Sequence, residues 1–177
     1  FKEDSVQGRD VTNGISVDLD VDATIVLTSG TSGTPKAALH TLGNHYYSAL
    51  GSNENIPVHP GDRWLLSLPL YHVGGLGIVF RMLLGRGIVV IPQGKEQIED
   101  LVDRYKITHL SLVSTQLYRW LAEGVSEKAT TGLKAVLLGG GPVPPSLVQS
   151  AWQAGVPLYT TYGSTEMGSQ VTTTAPN

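Results

Sequence analysis

At 177 residues, 41% of them hydrophobic, the chain is long enough for one domain with a substantial core. Against 15 acidic side chains stand 12 basic ones, a net charge of -3, and no run of Lys and Arg interleaves with aromatics, which argues against nucleic acid as a partner. The absence of cysteine excludes disulfides, thiolate metal sites and a Cys nucleophile and is compatible with a cytoplasmic enzyme, while no apolar run reaches the roughly 18–20 residues that span a bilayer.

Residues 1–20 are polar and acidic and read as a leading loop or linker, with the core over 21–177. Phe1 in place of Met, and a last segment without a terminal signal, lead us to expect a piece cut at both ends. A first strand is predicted over Ala23–Leu27 and, after a hydroxyl-rich loop, a helix over Ala37–Leu50. The pattern continues with a strand at Trp64–Leu68, a helix at Leu76–Leu84, a strand at Ile88–Ile91 and a helix at Glu96–Tyr105. Then come a strand at Thr108–Val113, a helix at Thr115–Glu123, a strand at Lys134–Leu138, a helix at Ser146–Gln153 behind Pro144-Pro145, and a strand at Val156–Tyr159. Strands so short and apolar, alternating with helices, predict an α/β fold: a mostly parallel sheet covered by helices on both faces.

Polar and glycine-rich clusters follow these strands: Thr28 to Lys36, Pro69 to Gly75, Ser114-Thr115, Gly139 to Pro142, and Thr161 to Glu166. Ligands of open α/β sheets bind outside the carboxyl ends of the strands, so the five are expected to converge on one edge. The first, Thr28-Ser29-Gly30-Thr31-Ser32-Gly33-Thr34-Pro35-Lys36, carries the most chemistry. Its glycines let the backbone approach an anion, its hydroxyls and N–H groups donate, and Lys36 adds a positive charge, so oligophosphate is the natural guest. A merely flexible Ser/Gly loop needs neither the preceding strand nor the Pro-Lys end. Walker spacing, the Rossmann glycine pattern and a G-x-S-x-G elbow are all absent, which disfavours a conventional P-loop ATPase.

The same loop resembles the phosphate-binding loop of the adenylate-forming superfamily of acyl-CoA synthetases, luciferases and peptide-synthetase adenylation domains. Ser32 stands where the family usually has Thr, and Ala37 where it usually has Gly. Tyr162-Gly163-Ser164-Thr165-Glu166 is similar to the family's Tyr-Gly-x-Thr-Glu motif. The resemblance implies that Tyr162 stacks on adenine, Thr165 meets the α-phosphate and Glu166 helps hold Mg²⁺, roles suited to a flat ring, a neutral donor and a hard anionic oxygen. Leu138-Gly139-Gly140-Gly141-Pro142 resembles the glycine-rich segment bordering adenine and substrate, and Leu68-Pro69-Leu70-Tyr71-His72 the segment that sets a His beside the carboxylate under attack. Standing alone, the glycine run would be a plain turn and the pentapeptide a turn with a helix cap. His40, His45, His59 and His109 have no such context and are expected at the surface or in packing.

Further stretches, among them Arg63 to Leu70, Gly77 to Arg81, Ser114 to Arg119 and Ser169-Gln170-Val171, look like the o-succinylbenzoate–CoA ligases of menaquinone biosynthesis within that superfamily. This likeness implies an acid–thiol ligase using ATP, Mg²⁺ and CoA on a small carboxylic acid, with His72, Arg81, Ser114, Thr115, Gly140 and Ser169 around the substrate and Lys36, Thr165, Glu166 and His72 in the chemistry. It also places a ribose-binding Asp, a hinge and a small domain with a catalytic Lys beyond this chain, so the chain alone is expected to be a poor catalyst. Basic Arg81 and Arg119 near the presumed pocket point to a second substrate carboxylate rather than to an ammonium group. Other acyl- or aryl-CoA synthetases, an amino-acid adenylation domain and a non-catalytic ATP-binding module are the remaining alternatives.

Overall fold

The computed structural model describes residues 16–28, 36–94 and 96–174. Strands β1 (Asp22–Thr28) and β2 (Lys36–Thr41) form an antiparallel pair that closes on Thr28 opposite Lys36. Lys36–Thr41 is thus a strand, although Ala37–Leu50 reads as one helix. The Ala-Ala-Leu run has good helix propensity, but pairing with β1 supplies its backbone groups with partners, and propensity is a weak prior against that. Helix α1 (Leu42–Asn55) begins one residue later, where the Thr41 hydroxyl accepts from the Asn44 N–H at 3.2 Å and the Asn44 side chain accepts from the Thr41 N–H at 2.9 Å. Its first turn is tied back to the preceding segment by N–H groups of Leu42 and Gly43 donating to the Val21 and Leu19 carbonyls.

The main sheet contains β3 (Arg63–Leu65), β4 (Ile88–Val90), β5 (His109–Leu112), β6 (Ala135–Leu138), β7 (Leu158–Ser164) and β8 (Ser169–Thr173) in the order β4-β3-β5-β6-β7-β8. All neighbours run parallel except β7 and β8, which are antiparallel. Helices α2 (Val73–Gly85), α3 (Ile98–Tyr105), α4 (Ser114–Glu123), α5 (Glu127–Thr131) and α6 (Pro145–Gln153) make the connections. Sheet residues alternate between two cores, as a period of two requires. Trp64, Ala135 and Leu137 pack with Ile56, Ile78 and Met82 on the α1–α2 side, while Leu65, Leu110, Val136 and Leu138 pack with Leu101, Leu117, Trp120 and Leu147 on the other. The expected α/β architecture with both faces covered is therefore present.

Two more elements depart from the sequence pattern. The Tyr162-Gly163-Ser164 stretch belongs to β7 rather than to a turn after it, and Ser169–Thr173 returns beside it as β8. Neither has the apolar character of the central strands, because hairpin strands at a sheet edge leave one side to solvent.

Candidate active site

β3 connects to β4 on one side of it, and β4 connects across to β5 on the other, so the direction of winding reverses between β3 and β5. A cavity of about 900 Å³ opens at that point, at the carboxyl ends of the strands. Its wall is built from Ser67 to Pro69 after β3, Ser111 to Val113 at the end of β5, Gly139 to Pro142 after β6, and Thr161 to Thr165 at the end of β7. His72 and Arg81 of the α2 region and Ser169 and Gln170 of β8 complete it.

Nine of the predicted substrate and nucleotide residues therefore share one cavity: His72, Arg81, Gly139, Gly140, Gly141, Tyr162, Gly163, Thr165 and Ser169. Ser114 and Thr115 do not line it. The Ser114 hydroxyl donates to the Pro142 carbonyl at 2.9 Å, fastening the glycine turn, and Thr115 points to solvent; their neighbours Val113 and Gln116 face the cavity instead. Arg119 is exposed and also stands outside the lining. Thr28 and Lys36 form the base of the hairpin that carries the hydroxyl-rich loop, whereas Ser29, Gly30, Thr31, Ser32, Gly33 and Thr34 lie outside the described residues.

Backbone geometry shapes the wall at two glycines. Gly140 has φ +82°, a left-handed conformation that suits glycine. Gly163 lies so close to the Ser169 carbonyl across the hairpin that no side chain fits between them. Ser169 itself adopts φ +148°, which places its hydroxyl beside α2. Tyr162 is 69% exposed, a free aromatic face at the mouth.

Arg81 is the most unusual residue of the cavity. It is only 2% exposed, its guanidinium lies 5.5 Å from the centre of the Trp64 ring, and Nη2 donates to Ser169 Oγ at 3.2 Å and Gln170 Oε1 at 3.3 Å. The buried Nε–H has no partner among the described residues, and burial pulls the pKa down to about 10, so the group still carries its charge at neutral pH. Among the described residues no carboxylate lies within ion-pair distance of it. Gln170 Oε1 also accepts from Ser52 Oγ at 2.9 Å. Ser52 escapes sequence reasoning, since its partner is 118 positions away and no local pattern marks it.

Glu166 is exposed just beyond the wall. Its own backbone N–H and the Ser164 hydroxyl, with the charge of Lys36 nearby, hold its carboxyl below the usual range. His40, His45 and His109 are buried, and His59 is exposed; none of the four lines the cavity.

The family described as AMP-binding enzyme matches residues 3–177. The 2-succinylbenzoate–CoA ligase of Bacillus pumilus is 38% identical over 162 residues, which cover 90% of this chain and 33% of that protein. The chain thus spans about a third of the length of the curated relatives it matches. Among solved structures, the o-succinylbenzoate coenzyme A synthetase of Bacillus subtilis in complex with the acyl-adenylate intermediate superposes with a TM-score of 0.80 at 37% identity, covering 90% of this chain and 42% of that one. The same enzyme in complex with ATP and magnesium ion gives 0.81 at 36% identity, with 92% and 35% covered.

Proposed function

The chain belongs to the AMP-binding enzyme family, and from that membership we propose that the full-length protein is a cytoplasmic AMP-forming acid–CoA ligase whose acid is o-succinylbenzoate. In the first step a carboxylate oxygen of the acid attacks the α-phosphorus of ATP, the bond to the bridging oxygen breaks, and pyrophosphate leaves. In the second the CoA sulfur attacks the acyl carbon, AMP departs with the carboxyl oxygen, and the thiol proton is released.

The residues of this chain act by position and charge. Lys36 and the loop from Ser29 to Thr34 hold the β- and γ-phosphates, and Tyr162 with Gly139, Gly140 and Gly141 frames adenine. Thr165 donates to the α-phosphate, where negative charge gathers as pentavalent geometry is reached. Mg²⁺ fits this setting through one ligand: the Glu166 carboxylate is exposed and held ionised, and no group of three acidic or His side chains competes for a metal among the described residues. A lone carboxylate completed by phosphate oxygens and water is how Mg²⁺ is ordinarily bound beside nucleotides. Held by Glu166, the ion would supply positive charge to offset that on the departing pyrophosphate. His72 lies beside the carboxylate to be activated.

One observation carries the choice of acid: Arg81 is a buried cation facing the cavity, and its partners among the described residues are all neutral. A cation so placed calls for an anion, and o-succinylbenzoate has a second carboxylate that is not activated. The cavity wall contains no Asp or Glu among the described residues, which disfavours an amino-acid substrate needing a partner for its ammonium group. The test is kcat/KM for Arg81→Ala and Arg81→Lys in the full-length enzyme, with o-succinylbenzoate and a monocarboxylate analogue. Selective loss with the dicarboxylate, only partly restored by Lys because it lacks the planar fork, is the expected result. Equal losses on both acids would make Arg81 a structural residue and remove the basis for the substrate.

A further inference from the structure

We propose that His40 is a positioning residue that fixes the turn bearing Thr165 and Glu166 to the strand emerging from the phosphate loop. The imidazole is 2% exposed, and its Nε2 lies 2.6 Å from the Thr165 carbonyl oxygen. A carbonyl only accepts, so Nε2 carries the proton and donates it. Among the described residues the buried Nδ1 has no partner, and this bond is the ring's one polar tether. The bond joins positions 125 residues apart, and His40 sits four residues after Lys36 on β2. The tether therefore spans the two halves of the proposed triphosphate site, the hairpin on one side and the β7–β8 turn on the other.

The setting of His40 suits such a role. His45 packs against it with ring centroids 5.3 Å apart, stacks on Phe80 at 4.6 Å, and bonds through Nε2 to Thr24 Oγ1 at 2.8 Å. β1, β2 and α2 are thereby locked around the ring, and a Cβ added at Gly168 would come within 3.8 Å of its edge. The carbonyl it grips belongs to Thr165 itself, so the bond sets where that hydroxyl and the following carboxylate stand. Catalytic groups need placement to well under 1 Å, and misplacement on that scale costs about a hundredfold.

This inference rests on the roles proposed for Thr165 and Glu166, and the experiment separates the two. In the full-length enzyme, His40→Gln retains an N–H near the position of Nε2, His40→Asn carries the same amide one bond too short, and His40→Leu keeps bulk without a donor. ATP–pyrophosphate exchange, the Mg²⁺ concentration at half-maximal rate, Mg·ATP binding by calorimetry and melting temperature are measured for each, with Glu166→Gln alongside. The expected result is a fall in exchange rate on the order of ten- to a hundredfold for Leu and Asn, with a higher Mg²⁺ requirement and weaker Mg·ATP binding. Gln should stay within about threefold of wild type, and KM for the acid should be unchanged throughout. Equal losses for Gln and Leu at equal melting temperatures, or full activity in Leu, would overturn the tether while Glu166→Gln remained impaired. An unimpaired Glu166→Gln would instead overturn the reading of the site on which it rests.

Discussion

At the scale of single residues, the site divides into groups that carry charge and groups that aim it. Lys36 carries charge: it ends the loop where oligophosphate is expected, and Lys36→Ala in the full-length enzyme should slow single-turnover adenylate formation about ten- to a thousandfold. An unchanged rate would remove it from the chemistry. Glu166→Gln keeps shape and hydrogen bonding but removes the anion, so the Mg²⁺ concentration for half-maximal rate should rise; superimposable metal titrations for variant and wild type would exclude the role. Gln170 aims. Its carbonyl oxygen accepts from both Arg81 and Ser52, so a wall residue that holds the guanidinium is itself fixed by a hydroxyl outside the cavity. Thr165 and Arg81, which line the cavity, could be singled out in the sequence, the first by its place in an ordered motif and the second as a lone charge on an apolar helix. Ser52 could not, nor could the tether through His40, because each depends on a contact between segments more than 100 residues apart.

At the scale of elements, the central strands were readable and the hairpins were not, for a common reason. β5 and β6 are buried at every position and announce themselves as apolar runs. β2 and β8 are held by pairing with a neighbour, and pairing leaves no mark on composition; residues as helix-prone as Ala37 and Ala38 serve in β2. The β7–β8 hairpin matters most, since Gly163 allows the close approach that brings Ser169 and Gln170 over Arg81. A Cβ at position 163 would sit inside the Ser169 carbonyl and 3.2 Å from Gln170 Cα, so β8 must shift. Gly163→Ala should therefore cost roughly 1–3 kcal/mol of stability and also raise KM for the dicarboxylate, because Arg81 loses its two fixed acceptors. Thermal melts and acid kinetics on the same preparation check this. A variant that melts lower with an unchanged KM would disconnect the hairpin from substrate recognition.

At the scale of the whole molecule, the two edges of the sheet carry different chemistry and meet at one residue. The carboxyl-end edge holds the cavity; the opposite edge holds a buried polar cluster. There Asp62, 3% exposed, pairs with Lys134 at 2.6 Å and accepts from the His59 N–H at 2.9 Å. Burial alone would raise its pKa, but Lys134 and the His59 amide outweigh burial and hold it below the ordinary value. His109, 1% exposed, bonds through Nδ1 to Thr108 Oγ1 at 2.7 Å, and burial pushes its pKa down to about 4. Trp64 lies between the edges, stacked on His109 at 4.9 Å and 5.5 Å from the Arg81 guanidinium. The sign of the pH effect follows from which state binds the proton. Between pH 6.5 and about 4 the unfolded chain protonates this histidine and the folded chain does not, so stability is full above 6.5 and falls through that window. The loss amounts to roughly 3 kcal/mol for His109, with His45, lowered chiefly by burial, adding to it in the same direction. Asp62 contributes only lower down, its share vanishing as pH falls below the ordinary Asp value through its depressed one. Urea unfolding of the wild type across pH 7 to 4 should show the decline, and His109→Gln, which keeps a polar side chain but cannot ionise, should flatten most of it while lowering stability at pH 7. A decline of the same size in His109→Gln would assign the acid sensitivity elsewhere. The folded chain keeps the imidazole that faces this indole neutral down to about pH 4, so a rise in the dicarboxylate KM of the wild type that is absent in His109→Gln should begin only there, below the window in which stability declines.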